Sequence, residues 1–74
     1  MNKQERGDKY ILLEKPYSNH PGDSHLTMVL ARWHNKFVTW GYNMQDQGFF
    51  WGHYFQESEL EKALDDFNKR GLIQ

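Results

Sequence analysis

Residues 37–55, FVTWGYNMQDQGFFWGHYF, hold eight of the chain's twelve Phe, Tyr and Trp residues. Two runs rich in aromatic and β-branched residues, 36–43 and 48–55, have strand composition. The MQDQ between them reads as a four-residue hairpin loop closed near Gly48. Upstream, HLTMVLARWH (25–34) contains good helix formers. Its flank decides for a strand: Asn35-Lys36 separates it from the next run, and Asn readily takes the positive φ of a tight hairpin tip. Earlier still, the short apolar run Tyr10 to Leu13 sits between charges and ahead of Pro16, which favours a strand. PYSNHPGDS (16–24) is turn-forming throughout and reads as a loop.

Leu60, Ala63, Leu64 and Phe67 follow the i, i+3, i+4, i+7 spacing of an amphipathic helix. Ser58 and Glu61 have the spacing of a capping box. Gly71 supplies a left-handed stop, after which Leu72 would fold back on Phe67. The expectation is an α+β domain: an antiparallel β-meander of three to four strands with one C-terminal amphipathic helix packed on one face. It occupies residues 9–74, and the charged, apolar-poor residues 1–8 read as a flexible tail.

At 74 residues without cysteine, packing has to hold the fold, with no disulfide framework or thiolate-ligated metal. The net charge of −1 does not indicate a non-specific polyanion binder. The balance is uneven, since residues 24–55 carry Arg32 and Lys36 against Asp46, while 57–70 carry five acids against three bases. Neither a signal-peptide pattern nor a run of about 20 apolar residues occurs, so the cytoplasm is the expected location, with no membrane association.

Strand alternation sorts the aromatics. With Asn35-Lys36 at one tip and 44–47 as the other loop, one set is Val29, Ala31, Trp33, Val38, Trp40, Tyr42, Phe49, Trp51, His53 and Phe55. The other is Met28, Leu30, Arg32, Phe37, Thr39, Gly41, Phe50, Gly52 and Tyr54. The helix stripe is slender and needs a bulky surface opposite it, so the first set is expected beneath the helix. A slip of one residue would exchange the faces. The second set would then be uncovered, either as ordinary surface with Phe50 lying over Gly41 or as a binding patch.

The chemistry-bearing residues give little purchase for catalysis. His20, His25, His34 and His53 lack metal-ligand spacing, so no metal and no cofactor is expected. The acids of the C-terminal helix are explained by solvation and the helix dipole. No nucleophile motif or phosphate-cradling glycine loop is present, so no enzyme is expected. The expected function is a non-catalytic interaction module. It would bind a protein partner or form a homodimer through Arg32, Phe37, Thr39, Phe50 and Tyr54. Single-stranded nucleic-acid binding through the same face is the alternative, because interleaved aromatics and bases can form a stacking platform.

Overall fold

The computed structural model describes residues 5–71. Five antiparallel strands form one sheet in the order of the chain: β1 (Glu5–Arg6), β2 (Lys9–Pro16), β3 (Leu26–Trp33), β4 (Lys36–Asn43) and β5 (Gly48–Gln56). The helix α1 (Leu60–Lys69) packs on β3, β4 and β5. The α+β meander is therefore as expected, with one strand more. The extra strand lies where a tail was expected: Glu5 and Arg6 pair with Tyr10 and Lys9. A two-residue turn joins them, led by Gly7 at φ +66°, a conformation only glycine adopts without steric cost.

Each turn follows from local chemistry. At the β3–β4 tip, His34 and Asn35 both have positive φ (49° and 61°), the requirement of a type I′ turn. The tip is thus one residue earlier than Asn35-Lys36, and Trp33 pairs with Lys36. This moves the register by two, which leaves every side chain on its face. The β4–β5 loop is the expected 44–47. Asn43 Oδ1 accepts the N–H of Gln45, and Asp46 Oδ1 accepts that of Gly48, each at 2.9 Å. Helix α1 begins after Glu59, which makes no side-chain cap, so the expected Ser58 box is not formed. Glu59 instead tightens the exit from β5, accepting the Gln56 N–H at 2.9 Å and pairing with Lys62 at 3.0 Å. Gly71 does stop the helix, at φ +74°. The Leu72 contact lies outside the described residues.

The faces are the main correction. α1 covers the second set: Ala63 and Phe67 pack with Met28, Leu30 and Phe37, flanked by Tyr17, Phe55 and Leu64. Val29, Ala31, Val38, Trp40 and Tyr42 lie on the opposite face with Ile11, Trp33 and Phe49. Two physical reasons account for the exchange. The aliphatic side chains of the second set make a low surface that a slender helix can approach. The rings of the first set pack on one another and are closed over by residues of the β1–β2 hairpin.

That closure shows in the cations. Arg6 lies 4.5 Å from the centre of the Tyr42 ring, on a strand three positions away. Residues of β1 share an open groove of about 470 Å³ with Tyr42, Gln47 and Phe49. A flat sheet would hold β1 and β5 about 19 Å apart, so the sheet curls toward this face. Register shifts in β2, between Ile11 and Leu13, and in β5, opposite Trp40, supply local bends.

Candidate functional site

The irregularity in β5 determines what the protein presents. Tyr42 pairs with Phe49 and Gly41 with Phe50, but Thr39 then pairs with His53, leaving Trp51 and Gly52 together opposite Trp40. The extra residue reverses the alternation beyond it. Tyr54 pairs with Val38 on the ring-lined face, while His53 and Phe55 turn to the helix side.

Trp51 takes the strain of this bulge. Its φ is +52°, a left-handed conformation that bulky L-residues rarely adopt and that glycine fills in one common class of bulge. Its side chain is nevertheless 72 % exposed. The ring has an edge-on neighbour in Phe50, at 5.4 Å. Gly52 cannot exchange roles with it: a Cβ there would fall 2.5 Å from Trp40 Nε1. The indole of Trp40 fills the space that Gly52 leaves.

A polar network secures the bulge from the helix side. Arg70 donates to the Trp51 carbonyl at 2.6 Å and to the Thr39 carbonyl and hydroxyl at 3.0 Å each. Thr39, fully buried, donates its hydroxyl to Asp66 at 2.5 Å. Asp66 also meets His53 Nδ1 at 3.0 Å. The Thr39 hydroxyl is thus committed twice and lies beneath α1. A Thr, Asp and His occur together here, but the geometry is that of a structural lock.

The five residues expected to form a binding patch do not share one surface. Phe37 and Thr39 are buried under the helix. Arg32 is exposed but paired with Glu57. Phe50 lies over Gly41, where a Cβ would come within 2.2 Å of its ring, and tilts against Tyr17 at 5.9 Å. Tyr54 is 54 % exposed on the opposite face, beside Trp33 and Trp40. Sequence alternation missed Trp51 because the bulge cannot be seen in it; the one signal was an aromatic next to Gly52 in the middle of a strand.

On the ring-lined face, Lys9 Nζ sits 5.1 Å from Trp33, 5.6 Å from Trp40 and 5.0 Å from Phe49, measured to ring centres. Asp8 lies at the mouth, 3.1 Å from the same ammonium. The buried Trp33 N–H closes no full hydrogen bond, but its influence, with that of Lys9, holds the Asp8 carboxyl below its usual range. Among the described residues, no group of three or more His, Asp and Glu converges on a point that could hold a metal, and no helix is long and apolar enough to cross a membrane. No family model matches the chain, and no curated protein or solved structure matches it.

Proposed function

We propose that the protein is a non-catalytic interaction module that binds another polypeptide, or a second copy of itself, along the free edge of β5. Trp51 is its principal anchor and Tyr54 a second. The observation that carries this reading is Trp51 itself. A left-handed backbone costs a non-glycine residue about 1–2 kcal/mol, and the ring recovers little of that by burial because it is 72 % exposed. A costly, solvent-facing aromatic on a bulge has the character of a contact residue.

The edge supports the reading. β5 is the last strand of the sheet, nine residues long and without Lys, Arg, Asp, Glu or Pro, so the segments on either side of the Trp51 bulge offer an edge on which another strand can pair. An identical strand can add across a two-fold axis, which gives the homodimer version a definite geometry. Nucleic acid is less favoured, because Arg6 and Lys9 are turned onto rings and Arg32 is held by Glu57.

Sedimentation velocity from about 10 µM to about 1 mM tests self-association. The wild type is expected to grow with concentration and Trp51→Gly to stay monomeric. A monomeric wild type removes the homodimer, and the test passes to an extended-peptide library, read by amide shifts confined to β5. Absence of any ligand there overturns the module reading. Single-stranded oligonucleotides at low salt, where phosphate contacts are strongest, provide the contrast.

A further inference from the structure

We propose that the pocket formed by Trp33, Trp40 and Phe49 is a binding site for the trimethylated side chain of a lysine, and that Lys9 is its built-in occupant. The cage draws Phe49 and the flanking Tyr54 from β5, but the cation is held on the ring-lined face, and its binding does not require a partner on the β5 edge.

The geometry is that of an aromatic cage. Three rings surround one cation at 5.0–5.6 Å, inside the distance at which ring faces attract positive charge. Trp40 is only 5 % exposed, so the floor of the cage is dry and attraction there is little screened. Asp8 places a carboxylate beside the ammonium at the mouth. Tyr54 packs beside both indoles, at 6.3 Å from Trp33 and 6.1 Å from Trp40, and extends the aromatic wall outward. The adjoining groove, lined by Arg6, Gly7, Tyr42 and Gln47, leaves an approach.

The class of ligand follows from the occupant. An ordinary ammonium is strongly hydrated. Lys9 overcomes that because the chain tethers it beside the rings, at a high effective concentration. A free lysine has no such help. A quaternary ammonium sheds water more readily and presents methyl groups to the rings, so it can compete in trans. A lysine stem fits the space that the Lys9 stem already fills. A choline headgroup shares the cation but brings a phosphate toward Asp8.

The test uses the full chain with Lys9→Ala, following the indole N–H signals of Trp33 and Trp40 by NMR. The probes are N-acetyl-trimethyllysine amide, its neutral tert-butyl isostere and phosphocholine. Lys9→Ala is expected to remain folded and to bind trimethyllysine saturably, with a Kd on the order of 1 mM. The wild type should bind at least tenfold more weakly, and Lys9→Met, which refills the cage, should resemble the wild type. The neutral isostere should give no saturable shift. A folded Lys9→Ala that ignores trimethyllysine overturns the proposal, as does equal response to the isostere or undiminished binding by the wild type. Tighter binding of phosphocholine overturns the choice of lysine. Failure of Lys9→Ala to fold also overturns it, because an indispensable core cation is not a displaceable occupant.

Discussion

Arg70, the residue that ends helix α1, donates at 2.6 Å to the carbonyl of Trp51, the strained residue of β5. A bulge interrupts the strand ladder and leaves backbone groups in need of partners. The guanidinium supplies one and joins the helix C-terminus to the bulge. Arg70→Met retains much of the stem and removes the donors. We expect a loss of about 1.5–3 kcal/mol, the range for hydrogen bonds from charged groups, measured by urea unfolding. Amides on either side of Trp51 should lose exchange protection first.

Trp51→Gly should behave unlike the loss of any other tryptophan. Glycine adopts the left-handed backbone without penalty, and little burial is lost with the ring. Stability is expected to hold or to rise by about 1 kcal/mol, whereas Trp40→Ala should cost about 3–5 kcal/mol and leave so small a domain unfolded. Urea midpoints for the two variants provide the comparison. A marked loss in Trp51→Gly would mean that the ring serves the fold.

Legibility in the sequence tracks how local each cause is. The 44–47 loop, the stripe through Ala63 and Phe67 and the stop at Gly71 depend on neighbours within one turn, and all three were readable. Which face α1 covers depends on how closely a helix can approach each face and on what closes the far side, neither of which is local. The alternation was read correctly up to Phe50, and one inserted residue then moved His53, Tyr54 and Phe55 to the opposite side. The expected patch is divided for a second reason as well: Phe37 and Thr39 sit on the face assigned to solvent, and the helix lies there. Arg6 was hidden because it fell in a charged stretch that read as tail, and Lys9 because it read as a charged flank of the Tyr10 to Leu13 run; the ring partners of both lie far along the chain.

Acid should loosen the β1–β2 hairpin. Glu14 is held below the usual carboxylate range, chiefly by its hydrogen bonds from Arg6 and further by Thr27, against the opposing effect of burial. A depressed carboxylate contributes stability that is fully present above its unfolded value, about 4.3, and is lost as pH falls through the lower folded value. The wild type should therefore weaken as pH falls from about 5 to about 3. Glu14→Gln should be less stable at neutral pH and show a shallower slope in that window. Thermal midpoints across the series measure both, and parallel slopes would remove Glu14 as the cause.

The two strand glycines should differ in what they tolerate. At Gly41 a Cβ would strike the Phe50 ring at 2.2 Å, and at Gly52 it would strike Trp40 Nε1 at 2.5 Å. The obstacles are not equivalent. Phe50 is only partly buried and can swing outward at the expense of its contact with Tyr17, whereas Trp40 is wedged among Trp33, Phe49 and Tyr54. Overpacking a closed core costs about 1–3 kcal/mol. Gly52→Ala is expected at the upper end of that range, with disturbed Trp33 and Trp40 indole signals. Gly41→Ala should cost less and confine its shifts to Tyr17 and Phe50. Equal losses at the two positions would mean that Phe50 is as firmly held as Trp40, and the patch around it would then belong to the core.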